Sequence, residues 1–105
     1  MAGPKSTSKR TRRRIEVHYG PAGPRHIGYS GNLSRTGMMV RAIRVFAPGT
    51  ELVLELSFQA RTVRLRGRVV WARQGSVEWL HTGRVGMGVI FIDPPEDLPA
   101  LWGAE

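Results

Sequence analysis

The chain of 105 residues contains no cysteine, which excludes disulfide bonds and thiolate metal sites. No apolar run approaches the ~20 residues that a transmembrane helix requires. The basic N-terminus is not followed by the apolar segment of a secretory signal, so we expect a cytoplasmic protein without a membrane span. The histidines (His18, His26 and His81) lack the spacing of metal ligands, and no metal site is expected.

Acidic residues are scarce in the first half of the chain. Glu16 is the only acid among the first fifty residues, whereas ten of the sixteen lysines and arginines lie between Lys5 and Arg44. The net charge is +8. Such a basic half indicates an anionic partner, which is a nucleic acid, a nucleotide, an acidic membrane surface or an acidic protein. The plainer interpretation is that the charge only keeps the protein in solution.

Helical periodicity is almost absent, and short segments with alternating apolar residues take its place. In Glu51–Phe58 the leucines share one face, and in Thr62–Ala72 three arginines lie opposite an apolar face. The alternation and the turn residues between segments predict strands at 15–19, 25–30, 38–43, 51–58, 62–72 and 85–92. Several short antiparallel strands of this kind predict an all-β fold, a small barrel of roughly six strands.

The length and a hydrophobic content of 41% suit one domain. We expect a flexible basic tail at 1–14, the barrel at 15–93 and a short C-terminal segment at 94–105 that contains a helical turn. The segments 31–37 and 73–81 are predicted to be a loop and a hairpin connection. Trp71 and Phe91 are assigned to the core, and Trp79 and Trp102 to partly buried positions at the barrel rim.

Two short patterns carry candidate binding chemistry. The first is Arg10-Thr-Arg-Arg-Arg14, an R-x-x-x-R arrangement in the tail. The second is Asn32-Leu-Ser34-Arg-Thr-Gly37, an [D/N]-x-S-x-x-G arrangement between two strands. On the residues alone, the arginines also fit a solvated charge run. Asn32, Ser34 and Gly37 likewise fit ordinary turn chemistry, in which polar side chains bond to their own backbone.

The two motifs, in this order, resemble the PilZ family, whose members pair them across a short strand and turn. The run Arg66–Trp71 is similar to the family's long barrel strand, and Gly86–Asp93 is similar to its closing strand. The resemblance therefore covers roughly residues 9–93. It implies a barrel that binds the bacterial second messenger cyclic di-GMP, with no cofactor and no catalytic activity.

The resemblance also implies a ligand site made of Arg10, Arg14, Asn32, Ser34 and Gly37. An arginine fork matches a phosphate or the O6/N7 edge of guanine in a bidentate manner. Asn32 pairs with a guanine edge, although the family more often has Asp there, so we expect a lower affinity. Ser34 donates to a phosphate oxygen. Gly37 permits a positive φ or a close backbone approach.

The family implies a receptor whose tail becomes ordered over the ligand. A partner protein from motility, exopolysaccharide or gene-regulatory machinery then recognises the changed surface. The alternative is a small-barrel nucleic-acid-binding module that uses the tail and the arginine face of residues 64, 66 and 68. An enzyme finds no support, because the sequence offers no paired carboxylates on one face, no nucleophile–histidine pairing and no phosphate-binding glycine loop before a helix.

Overall fold

The computed structural model describes residues 15–58, 61–82, 85–96 and 98. They form six strands, β1 (Glu16–Gly20), β2 (His26–Leu33), β3 (Gly37–Arg41), β4 (Glu51–Ser57), β5 (Thr62–Arg73) and β6 (Gly86–Ile92). All pairings are antiparallel, and the strands close in the order β1-β2-β3-β6-β5-β4. The predicted all-β barrel is confirmed. In the described part of the chain, no helix is long and apolar enough to cross a membrane.

The barrel interior is filled by the apolar residues that the alternation predicts. On β4, Leu52, Leu54 and Leu56 are buried, and their neighbours Glu51 and Glu55 lie on the outer face. The same pattern on the other strands completes the core with Val17, Tyr19, Val40, Val63, Leu65, Met87, Val89 and Phe91. Closure removes every free strand edge, so all strands are stabilised on both sides by backbone hydrogen bonds.

The antiparallel order gives the barrel two ends of different composition. The motif end carries the start of β1, the β2–β3 turn at 34–36 and the exit of β6. The distal end carries the β1–β2 turn at 21–25, the β3–β4 connection at 42–50 and the β5–β6 connection. Leu98 lies beyond β6, is completely buried and donates its amide hydrogen to the Pro95 carbonyl at 3.1 Å. Leu98 therefore adds to the core.

Two predicted connections differ from the structure. The stretch 31–37 is not one loop, because β2 continues to Leu33 and β3 begins at Gly37. A β-bulge between Ser30 and Leu33 allows the strand to continue through polar residues that do not alternate. The connection after β5 starts later than predicted, at Gln74, and contains a 3-10 helix over Val77–Thr82.

The assignment of Trp71 to the core is wrong. The β5–β6 register shifts by one residue between Val69 and Trp71, so Val70 and Trp71 both lie outside, and Trp71 is 42% exposed. Phe91 is 8% exposed, as the core assignment predicts. Trp79 is 53% exposed, which is more open than the expected rim position. Trp102 lies outside the described residues.

At the distal end, Tyr19 connects the barrel interior to the β3–β4 connection. Its hydroxyl donates to the backbone carbonyl of Arg44. Its ring packs near the rings of His26 and Phe46, at centroid distances of 5.6 and 6.2 Å. Burial raises the pKa of Tyr19 to about 12, and the positive charge of Arg44 opposes part of that rise. The buried hydroxyl therefore stays protonated and holds the connection in place.

Candidate functional site

The second motif forms the tight turn between β2 and β3. The Ser34 amide donates to the Gly37 carbonyl at 2.9 Å, and the Ser34 hydroxyl reaches the same carbonyl at 3.2 Å. The Thr36 amide points to the Ser34 hydroxyl oxygen at 3.4 Å. These bonds are the local turn chemistry that the sequence allowed. The Ser34 hydroxyl also lies 3.4 Å from the Thr36 hydroxyl. All three of its contacts are long, and Ser34 is partly exposed, so the hydroxyl can rotate toward an acceptor outside the barrel.

The bulge in β2 decides where Asn32 lies. Ser30 and Leu33 are buried and pair with Val40 and Met38, so the two residues between them share the outer surface. Without the extra residue, strict alternation would turn Asn32 toward the core. Instead Asn32 is exposed, beside the turn that contains Ser34. The structure thus brings these two predicted site residues to one side of the barrel.

The N-terminal segment joins the barrel next to this surface. The Ser30 amide donates to the Ile15 carbonyl at 2.8 Å, and the Ile15 amide donates to the Ser30 hydroxyl at 2.9 Å. Ile15, the residue that follows Arg14 in the sequence, is therefore held beside Ser30, two residues before Asn32. Arg10 and Arg14 themselves lie outside the described residues.

Gly37 is required by a close approach to β6. A Cβ atom at this position would collide with the Val89 carbonyl oxygen and would lie 3.2 Å from Cα of Ile90. Gly37 is not among the residues with positive φ, so the close approach is the relevant one of the two predicted reasons. Thr36 strengthens the same junction, because its carbonyl accepts a hydrogen bond from the Phe91 amide at 2.9 Å. The motif glycine therefore holds the turn against β6.

A row of outward residues crosses the barrel from the motif to Trp71. Met39 pairs with Gly88 on β6 and lies against Gly31 on β2, where a Cβ would meet its side chain at 3.0 Å. Trp71 pairs with Gly88, and its indole occupies the space that a side chain there would need. We name Gly31, Met39, Gly88 and Trp71 the glycine face. Its glycines make room for the side chains of Met39 and Trp71, which cover them.

Sequence reasoning missed the glycine face because it treated β5 as strictly alternating. A signal was present in Val69-Val70-Trp71, where three apolar residues in succession break the pattern of Arg64, Arg66 and Arg68. Such a break indicates a register shift, and a bulge turns the following side chain over. The polar bulge in β2 has no comparable apolar signal.

The arginine face on β5 is ion-paired. Arg64 donates to Glu55 at 2.6 and 3.0 Å, and it lies directly opposite this carboxylate on β4. Arg66 and Arg68 approach the two oxygens of Glu51 at 3.5 and 3.4 Å. We name these five residues the ion-pair ladder. It matches the hydrated outer surface of a two-faced strand, with alternating charge across the strand pair.

Comparison with known protein families gives a match over nearly the whole chain. A family model described as the PilZ domain matches residues 4–101. That range contains both the arginine motif at 10–14 and the turn motif at 32–37, together with all six strands of the barrel. A search of curated proteins returned no match.

Proposed function

The chain belongs to the PilZ domain family, and we propose that it binds cyclic di-GMP as a receptor. PilZ domains form a family of cyclic di-GMP-binding receptors, and they act as binding domains, not as catalytic ones. The proposal assigns the ligand to the outer surface around Asn32 and Ser34, with Arg10 and Arg14 contacting it from the N-terminal segment.

The observation that carries this assignment is the pair of hydrogen bonds between Ile15 and Ser30. They anchor the chain immediately after Arg14, at a point two residues from Asn32. An arginine side chain extends several ångströms from its backbone, so a segment that starts there reaches the surface around Asn32 and Ser34. The two motifs, which are separated by a whole strand in sequence, then act on one ligand.

Each contact has a chemical reason. Arginine forks bind phosphates and guanine edges in pairs of hydrogen bonds, which a lysine ammonium does not reproduce. The Asn32 amide has both a donor and an acceptor for a guanine edge, and the Ser34 hydroxyl supplies a donor to a phosphate oxygen. On the glycine face, the exposed indole of Trp71 offers a guanine base a partner for stacking.

We further propose that ligand binding orders residues 10–14 over the bound nucleotide and changes the surface that a partner protein recognises. The segment is rich in charge and poor in apolar residues, a composition that favours order only on binding. Part of the binding free energy is then used in ordering the chain. The output of the receptor is a new surface beside β2.

The nucleic-acid alternative loses its main surface. The arginines that it requires on β5 already contact Glu51 and Glu55, so a phosphate backbone would compete with carboxylates at short range. The phosphates of a DNA duplex or single strand would also be repelled by the negative charges of those glutamates. The paired arrangement therefore favours the receptor.

Isothermal titration with cyclic di-GMP at low and at physiological salt tests the proposal, with GTP and cyclic di-AMP as controls. We expect micromolar or tighter binding of cyclic di-GMP that survives physiological salt, because base-edge hydrogen bonds and stacking carry much of the affinity. Duplex DNA, titrated in parallel, is expected to lose affinity steeply, with a slope of about −0.9 per neutralised phosphate. Undetectable cyclic di-GMP binding together with salt-resistant DNA binding would contradict the receptor.

A further inference from the structure

A second basic surface lies on the outside of β2 and β3, toward the distal end of the barrel. It is an open groove between the β1–β2 turn and the β3–β4 connection. Three arginines line it, Arg25, Arg41 and Arg44. Ile27 and Ile43 lie in the same groove and are 57% and 41% exposed. We name these five residues the arginine groove.

The arginine groove differs from the ion-pair ladder in having no carboxylate of its own. No aspartate or glutamate is among the described residues that line it, and none of its arginines forms an ion pair with a described residue. The Nε atom of Arg41 is buried and has no hydrogen-bond partner in the described part of the chain. A buried guanidinium N–H without a partner is costly, so Arg41 would gain from an anionic partner that reaches it.

The groove is held in shape by the packing beneath it. The carbonyl of Arg44 accepts a hydrogen bond from the buried Tyr19 hydroxyl. The Arg44 guanidinium lies over the ring of Phe46, 5.0 Å from its centroid. His26, which also lines the groove, packs against both aromatic rings. On the other wall, Arg41 pairs across the strands with Tyr29. A surface positioned in this way loses little conformational entropy when it binds.

We propose that the arginine groove docks an acidic segment of a partner protein, in which carboxylates alternate with aliphatic side chains. Arginine forks pair with carboxylates in a bidentate geometry. The exposed isoleucines match aliphatic side chains, whereas they gain nothing from a phosphate backbone. The inference deepens the proposed receptor function and rests on it for its role: β2 connects the groove directly to Asn32, so one strand borders both surfaces.

The mode of docking depends on barrel closure. Every strand is paired on both sides, so a partner cannot add a strand to an open edge. Recognition must then depend on side chains, and the groove supplies charge for specificity and apolar area for affinity. This combination is typical of acidic-motif recognition by clustered arginines.

The test uses the full chain and a short fluorescein-labelled peptide with the repeat Glu-Leu-Asp, titrated by fluorescence anisotropy. The double variant Arg41→Gln/Arg44→Gln is expected to bind the peptide about tenfold more weakly or worse, because two charge-assisted contacts are lost. The control Arg64→Gln/Arg68→Gln removes the same charge from the ion-pair ladder and is expected to stay within about twofold. Ile43→Thr, which leaves the charge unchanged, is expected to weaken binding measurably.

Three further arms separate specific docking from its alternatives. Thermal melting verifies that each variant is folded, and a peptide with Gln and Asn in place of its acids is expected not to bind. Equal losses in both double variants would show that net charge alone attracts the peptide and would overturn the proposal, as would absence of peptide binding or stronger binding of oligothymidylate. Cyclic di-GMP titrated into the groove variant must still bind within a few-fold; displacement of the peptide by cyclic di-GMP would instead assign the groove to the nucleotide site.

Discussion

The two sides of this barrel use arginine in opposite ways. On β4 and β5, the ion-pair ladder holds each of its three arginines within 3.5 Å of a glutamate oxygen. On β2, β3 and β6, the surface combines the glycine face with the arginine groove, and the groove arginines have no carboxylate among the described residues that line it. Both sides cover the same core, so the difference lies in the residues of the outer face.

A count of basic residues therefore does not identify a binding surface. The ladder arginines form the most regular basic pattern in the sequence, yet each of them pairs with a glutamate on the neighbouring strand. The binding surfaces that we propose lie around Asn32 and Ser34 and where guanidiniums have no carboxylate among the described residues nearby. Local pairing, which depends on strand register, separates a hydrated surface from a recognition surface.

The strongest test of the comparison replaces one arginine of the N-terminal motif and one arginine of the ion-pair ladder. Arg14→Ala is expected to weaken cyclic di-GMP binding roughly 30-fold or more, since loss of a desolvated charged contact costs about 2–5 kcal/mol. Arg66→Ala, in the ladder, is expected to leave the affinity within a few-fold. Titration calorimetry measures both. If the ladder variant lost affinity and the Arg14 variant did not, the two sides would have to exchange roles.

Two glycine substitutions test which glycines on the side of β2 and β3 the fold requires. Gly37→Ala places a methyl group against the Val89 carbonyl, and we expect a loss of about 1–3 kcal/mol in the free energy of unfolding. In Gly31→Ala the new methyl group would lie 3.0 Å from Cβ and Sδ of Met39, with no backbone atom among its nearest contacts, so the loss is expected to be smaller, about 1 kcal/mol. Urea denaturation provides the values. An equally large loss for Gly31→Ala would mean that the fold depends on both glycines alike.

Substitution of Tyr19 tests whether its buried hydroxyl holds the distal end of the barrel together. Tyr19→Phe leaves the Arg44 carbonyl without this donor and is expected to cost about 1 kcal/mol. The folded-state pKa of about 12 lies above the ordinary 10.0. The stability that accompanies the raised pKa is present below pH 10 and is lost as the pH rises through about 12. Unfolding measurements in this range should show a smaller decline for the Phe variant than for the wild type.

The smallest effect is expected in the ladder. Glu51→Gln/Glu55→Gln is expected to change stability by less than about 1 kcal/mol, because exposed ion pairs contribute little. The same variant releases three arginines from their partners, so its affinity for duplex DNA at low salt should rise above that of the wild type. Anisotropy with a labelled duplex detects the change. Unchanged DNA affinity would mean that pairing is not what keeps the ladder from binding nucleic acid.

Much of the architecture was determined by the sequence alone. The leucines of β4 and the alternating apolar residues of β5 specify one inner face each, because successive side chains in a strand point to opposite sides. Short alternating segments separated by turn residues then favour a closed antiparallel barrel, in which every strand is paired on both sides. The turn motif and its residues Asn32, Ser34 and Gly37 were also recognisable as a unit between two strands.

The tertiary structure alone decided which way Asn32 and Trp71 point, and which arginines have partners. Each of the two bulges inserts one residue and reverses the direction of the side chains after it, an effect of long-range strand pairing that local alternation does not encode. Gly37 needs its small size because of β6, more than fifty residues later in the chain. Likewise, Arg64 meets Glu55 only through the β4–β5 register, whereas Arg41 faces Tyr29 across β2 and β3 and is left without a carboxylate among the described residues.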